Sequence, residues 1–191
     1  MIIQNHNGFT EITGCKALGE LYAEKDRLGD MPVILVHADD MENSVSEETA
    51  AWLMDAPFIT VIAAEDTGRF SYDLMSLFDV RLGGNPYPAA SAEADERYRF
   101  LCGDTAYEML SAGKTENAPN FVTVLSDEEG FSAAAVSYLE HICSGRTSGQ
   151  LSILTGCLKA AVKGGTEAVL SAESNGFYAL MAQKTEEQSD E

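Results

Sequence analysis

The sequence lacks several features that mark membrane, secreted or nucleotide-binding proteins. No stretch approaches the roughly 20 unbroken apolar residues that a membrane-spanning helix needs. The amino terminus, MIIQNHNGF, has neither the basic start nor the apolar block of a secretory signal, which predicts a cytoplasmic protein. The sequence has no G-x-x-x-x-G-K-[ST] phosphate loop, and no G-x-G-x-x-G follows a predicted strand. We therefore expect no membrane span, and neither motif points to a nucleotide-binding site.

Cysteine pairs and metal-ligand spacings are also missing. The four cysteines lie far apart and form no C-x-x-C pair, so we expect reduced, mostly buried thiols rather than a disulfide framework. His37, Asp39 and Asp40 follow a predicted strand, but adjacent side chains on one turn seldom converge on a metal ion. The sequence therefore predicts no metal site and no bound cofactor, and it assigns no cofactor-binding residues.

Positive charge is scarce. The chain has 12 basic and 31 acidic residues and a formal net charge of -19. Such a chain repels phosphate backbones and anionic membrane surfaces, which argues against nucleic acid and membranes as partners. An anionic small ligand would need local backbone donors or a few well-placed cations. The simplest interpretation of the acidity is solubility.

Short apolar runs rich in β-branched residues alternate with helical patterns. A turn-type cluster at residues 5–8 predicts an opening hairpin. Buried strands are predicted at 32–36, 58–64 and 121–125, and a shorter strand at 80–82. Helices are predicted at 17–28, 72–78, 98–110, 131–143 and 150–181, the last broken around Gly164-Gly165. A further helix is predicted to begin after the N-cap Ser46 and to end before Pro57. Lys159 and Lys163 are most simply a solvated face of that last helix.

This order of elements predicts an α/β fold with a parallel sheet and crossover helices. Residues 83–94 are predicted to form a loop. We find no internal repeat and assign residues 1–183 to a single domain. The tail at 184–191, KTEEQSDE, is polar and is predicted to be disordered.

Residues 55–84, DAPFITVIAAEDTGRFSYDLMSLFDVRLGG, resemble the centre of the crotonase superfamily, which contains the enoyl-CoA hydratases and isomerases. In that family a P-V-I-A-A-V strand leads through a glycine-rich turn to an E-L-A-L-A-C-D helix and an I-R-I-A strand. Residues 103–114 are similar to its G-x-x-A-x-E-M-L-x-x-G-K helix, and 148–181 to its carboxy-terminal helices. The resemblance implies a shortened crotonase-type core of ββα repeats with carboxy-terminal helices, assembled as a homo-trimer or hexamer.

The resemblance also implies an oxyanion hole, in which two backbone N–H groups hold the carbonyl oxygen of an acyl thioester. One N–H comes from the glycine-rich turn, which has a single glycine here and one extra residue, so that either Gly68 or Phe70 corresponds to the donor. The other comes from Ala38 or Asp39, in a loop where the family has a glycine and this chain has none.

A proton-transferring carboxylate is the other element that the resemblance implies. Counting back from Asp79 places Asp73 at the family's first catalytic Glu, although Asp is one methylene shorter. The alternative is a helix-start acid that the helix dipole favours. The family's second Glu falls in a stretch clipped here to residues 83–96, where Glu93, Asp95 or Glu96 could replace it without support from a motif.

The resemblance therefore implies a protein that binds an acyl thioester and transforms it as a lyase or isomerase. The acyl group would be carried by coenzyme A or by a carrier-protein arm. Two alternatives remain open. One is a non-catalytic scaffold or accessory subunit of a larger assembly, a pseudoenzyme with an eroded active site. The other is an unrelated α/β binding domain. Two backbone N–H groups converging near Asp73 would favour the first interpretation.

Overall fold

The structure is a computed structural model that describes residues 1–28, 31–88, 108–109, 112, 121–125 and 130–189. Most of the predicted helix at 98–110 lies outside these residues, but Glu108 and Met109 are described and are helical. The predicted loop at 83–94 is described only as far as Pro88.

The described residues form six strands and six α-helices. The strands are β1 (Ile2–Asn5), β2 (Thr10–Thr13), β3 (Val33–His37), β4 (Ile59–Ala64), β5 (Val80–Gly83) and β6 (Thr123–Val124). The helices are α1 (Leu18–Ala23), α2 (Lys25–Leu28), α3 (Glu47–Asp55), α4 (Tyr72–Ser76), α5 (Phe131–Cys143) and α6 (Ser148–Ser189), and Thr67–Arg69 forms a 3-10 turn. None of the described helices combines the length and apolar composition that crossing a bilayer requires.

The six strands form one sheet in the order β1-β2-β3-β4-β5-β6. β1 and β2 pair antiparallel, which confirms the predicted hairpin. Every later neighbour pairs parallel, which confirms the predicted crossover arrangement. Because β2 to β5 run in one direction, their carboxyl ends lie along the same edge of the sheet.

Each face of the sheet is covered by a different set of helices. Alternate residues of β3 and β4, such as Val36 and Ile62, pack with residues of α1 to α4. The opposite residues, such as Leu35 and Val61, pack with α5 and the start of α6. β3 and β4 are therefore buried on both faces, as their continuous apolar sequences predict.

Side-chain caps fix where two helices begin. Ser46 Oγ accepts a hydrogen bond from Thr49 N at 3.2 Å, which confirms the predicted N-cap of α3. Ser71 Oγ accepts from Leu74 N at 3.2 Å and caps α4 in the same way. Serine oxygens thus satisfy amide donors that the first turn of a helix leaves without a partner.

Three of the four cysteines lie among the described residues. Cys15, Cys143 and Cys157 are free, and Cys102 lies outside the described residues. Cys15 and Cys143 are buried, and desolvation raises the pKa of both thiols. Both therefore hold their protons more firmly than an exposed cysteine does.

The strand predicted at 121–125 differs from the one observed. Phe121 and Val122 are buried, but they precede β6, which consists of the exposed pair Thr123 and Val124. The predicted strand therefore exists but is shorter than expected, and its two residues are exposed rather than buried. The ring of Phe121 packs edge-on against the ring of Tyr72, with 5.1 Å between the ring centroids.

Helix α6 folds back on itself. A Cβ added at Gly176 would lie 2.3 Å from Ile153 Cγ2, yet a straight helix would separate these residues by about 35 Å. The chain must therefore reverse direction between them, and the midpoint falls at Gly164-Gly165, where a break was predicted. The second arm continues to Ser189 and includes most of the tail predicted to be disordered, because its Lys, Glu and Gln residues favour helix.

A buried ion pair fastens the first arm of α6 to the sheet. Lys159 Nζ lies 2.8 Å from Asp79 Oδ2 and donates to Leu53 O at 3.1 Å. Asp79 Oδ2 also accepts from Thr60 N and Thr60 Oγ1, each at 2.9 Å. The prediction of a solvated Lys159 was wrong, because helical spacing does not reveal an acceptor on another element.

Candidate functional site

Three loops meet the carboxyl edge of the parallel strands. We call residues 38–43 the β3 loop, residues 65–71 the β4 loop and residues 84–88 the β5 loop. Ligands of open parallel sheets bind at this edge, because loops from neighbouring strands converge there. All five candidate site residues lie on the first two loops or in the first turn of α4: Ala38, Asp39, Gly68, Phe70 and Asp73.

The β4 and β5 loops are in close contact. A Cβ added at Gly84 would lie 2.5 Å from Glu65 O, and one at Gly83 would lie 2.2 Å from Thr67 Cγ2. The buried Thr67 hydroxyl also lies within hydrogen-bonding distance of Asn85 O and Tyr87 O. The two glycines thus permit a backbone approach that fixes one side of the candidate site.

Two side chains join the β3 and β4 loops. The Arg69 guanidinium donates from its NH1 group to Asp39 O. Asn43 Oδ1 accepts from Ser71 N at 3.1 Å and lies 3.2 Å from Ser71 Oγ. The structure therefore brings together the two loops that the resemblance named, through residues that sequence comparison had not singled out.

Three of the four candidate amides already donate within the protein. Ala38 N donates to Ala63 O at 2.8 Å as a continuation of the sheet, and Phe70 N donates to Thr67 O at 3.1 Å. Gly68 N donates to the Asp66 carboxylate at 3.1 Å, which is a side-chain partner and can rotate away. The Asp39 amide alone among the four donates to no described residue.

Asp73 lies in the first turn of α4, two residues after the capping Ser71. The residue is half-buried, and its Oδ1 atom is removed from solvent. Its position beside the β4 loop suits both a proton-transferring carboxylate and a helix-start acid. Glu93, Asp95 and Glu96 lie outside the described residues.

A buried histidine at the end of β3 is linked to a carboxylate. His37 Nε2 lies 3.0 Å from Glu11 Oε1, a distance that suits an ion pair although the N–H direction is poor for a hydrogen bond. His6 Nε2 lies 2.8 Å from Glu11 Oε2. Within the part of the chain that the structure describes, no three such side chains converge as metal ligands would.

Carboxylates surround the β3 and β4 loops. Arg69 is the single cation within these two loops, and Lys16, three residues after β2, lies 3.1 Å from Asp40 in an exposed pair. The surrounding acids are all exposed: Asp39, Asp40, Glu42, Glu65 and Asp66. The local potential therefore opposes ligands that carry several negative charges.

Comparison with known proteins finds similarity in structure but not in sequence. No protein-family model matches the sequence, and no curated protein matches it. A solved structure, that of an enoyl-CoA hydratase/isomerase family protein from Silicibacter pomeroyi, superposes with a TM-score of 0.65 over 95% of this chain and 99% of the other. The two sequences are 11% identical, a level at which the likeness establishes the fold alone. The chain therefore has a crotonase-like α/β fold.

Proposed function

We propose that the chain binds an acyl thioester at the edge formed by the β3 and β4 loops and moves a proton beside its carbonyl through Asp73. The observation that carries this proposal is the joining of the two loops by Arg69 and Asn43, directly before the helix that holds Asp73. The acyl carrier would be coenzyme A or a carrier-protein arm, and the protein would act as a homo-oligomer.

The chemistry needs a base and a site for developing negative charge. Asp73 would accept a proton from the carbon next to the carbonyl, and the resulting enolate would place its charge on the carbonyl oxygen. The Asp39 amide would donate to that oxygen. Gly68 would become a second donor only after Asp66 rotated away, which would sacrifice a hydrogen bond worth about 1 kcal/mol.

A non-catalytic scaffold or accessory subunit is the second candidate. The engagement of the Ala38, Gly68 and Phe70 amides within the protein favours it, because an oxyanion hole normally keeps its donors available. Such a protein would retain the crotonase-like fold and its protein contacts without turning over a thioester.

Exchange of the α-proton of butanoyl thioesters in deuterated water separates the two candidates, because it requires only one base. We expect exchange with the wild type, followed by NMR, and a rise in melting temperature when the thioester is added. Asp73→Asn should reduce the exchange rate about a hundredfold, because the amide keeps the size and removes the base.

Glu47→Gln is the matched control, since Glu47 is an exposed acid in the first turn of α3. It should leave the exchange rate unchanged. If Asp73→Asn were as active as the wild type, the base would have to be another residue. A wild type that neither exchanges protons nor gains thermal stability with coenzyme A or truncated thioesters would support the accessory role.

A further inference from the structure

We propose that the Arg69 guanidinium is the second donor to the carbonyl oxygen of the bound acyl group, beside the Asp39 amide. This inference rests on the proposed function. It identifies a side-chain cation in the place where the family resemblance expects a backbone N–H from the glycine-containing turn.

The position of Arg69 between the two candidate donors of the β4 loop carries the inference. The amides on either side, Gly68 and Phe70, both donate within the loop. Arg69 instead extends its side chain to the β3 loop, where its NH1 group donates to Asp39 O. The guanidinium is thereby held against the backbone of Asp39, the residue that carries the available amide.

The guanidinium has donors to spare. An arginine side chain has five N–H groups in a planar fork, and the structure gives the Arg69 fork one acceptor among the described residues. Its central carbon also lies 5.9 Å from the centroid of the Phe70 ring, so the cation is held on a second side. The residue is exposed, which leaves the other N–H groups accessible to a ligand.

The Arg69 cation would compensate for the backbone N–H groups of the β4 loop, which donate within the protein. Hydrogen bonds from a charged donor are roughly twice as strong as neutral ones, and the gain is largest when the acceptor becomes an oxyanion. In the proposed step the α C–H bond breaks, its electron pair forms the enolate C=C bond, and the carbonyl π pair moves to the oxygen held by Arg69. Return of the proton, or of a deuteron, restores the carbonyl and the Asp73 carboxylate.

The exposed acids near Arg69 do not cancel this effect. The carboxylates of these acids are exposed, so water weakens their effect on the guanidinium, whereas an oxygen in direct contact with the guanidinium interacts with it at short range. The acidic surroundings thus weaken the attraction of a polyphosphate without removing the short-range interaction with one oxygen. This arrangement favours a thioester whose charge develops during the reaction.

Arg69→Gln and Arg69→Lys, measured by α-proton exchange of a butanoyl thioester, test the inference. We expect Arg69→Gln to lower kcat about a hundredfold with little change in KM, as for a donor that acts mainly in the transition state. Arg69→Lys should recover part of the loss, because it restores the charge without the fork. Lys16→Gln, which removes another described cation beside the β3 loop, should exchange protons at the wild-type rate.

The outcomes are distinguishable. If Arg69→Gln kept kcat within about threefold of an active wild type, or lost activity only through a higher KM and a lower melting temperature, Arg69 would serve to hold the β3 loop and the inference would be wrong. A wild type without exchange or thioester binding would overturn the proposed function, and this inference with it.

Discussion

At the scale of single residues, Gly84 sets how closely the β4 and β5 loops approach. Gly84→Ala would place a methyl group 2.5 Å from a backbone oxygen, which a side-chain rotation cannot relieve. We expect the variant to lose about 1–3 kcal/mol of unfolding free energy, measured by urea denaturation.

Gly19→Ala provides the comparison for Gly84→Ala. Gly19 lies in α1 with open space around its Cα, so alanine should raise the stability by about 0.5–1 kcal/mol. Equal effects of the two substitutions would show that the loops are less tightly packed than the structure describes.

The sequence resemblance led to a candidate site on two loops, but it could not predict which of the candidate amides already donate within the protein. The resemblance drew on residues within each loop, and the structure joins those two loops through Arg69 and Asn43. It could not reveal that Ala38 donates to Ala63, since that bond depends on strand pairing. Arg69 was missed for a similar reason: a charged residue in an acidic loop gives no signal until its acceptor, Asp39 O, is known.

At the scale of elements, the reversal within α6 can be tested with Gly176→Ala, whose effect on stability should have opposite signs in a straight helix and in a folded-back one. In a straight exposed helix, Gly176→Ala would stabilise the protein by about 0.5–1 kcal/mol. In the folded-back arrangement the new methyl group meets Ile153, so we expect a loss of about 1–3 kcal/mol in thermal or urea unfolding.

Gly156→Ala is the control for this test, because nothing lies within 4 Å of the added Cβ. It should raise the stability by the ordinary helix-propensity amount. A stabilising Gly176→Ala would contradict the contact between the two arms.

Elements with strong local signals were predicted well. β3 and β4 are continuous apolar runs, and α3 has a serine cap. β6 was predicted less well, because the buried residues Phe121 and Val122 precede the strand and its own residues are exposed. The pairing of Lys159 with Asp79 links positions 80 apart in sequence, and no local pattern encodes such a contact.

At the scale of the whole molecule, the second arm of α6 exposes large apolar side chains. Leu170 is 59% exposed and Tyr178 is 70% exposed. Burial of such surface between protomers would agree with the trimer that the family resemblance implies. We expect light scattering at micromolar concentration to report three or six times the 20.6 kDa mass of one chain.

Substitution of both residues checks where the protomers meet. Leu170→Glu with Tyr178→Glu should lower the mass if these side chains lie at the interface, whereas Val45→Glu alters an exposed apolar residue on another part of the chain and should not. A wild-type monomer would contradict the expected assembly.

The strand order also has a consequence for how the chain is made. Because β1 to β5 pair strictly in the order in which they are synthesised, each new strand finds its partner already present on the growing sheet. Such nearest-neighbour pairing keeps the sequence separation between contacting residues low, which favours rapid folding. The sheet can therefore be extended one strand at a time during translation, while α5 and α6, synthesised last, cover the face that remains exposed.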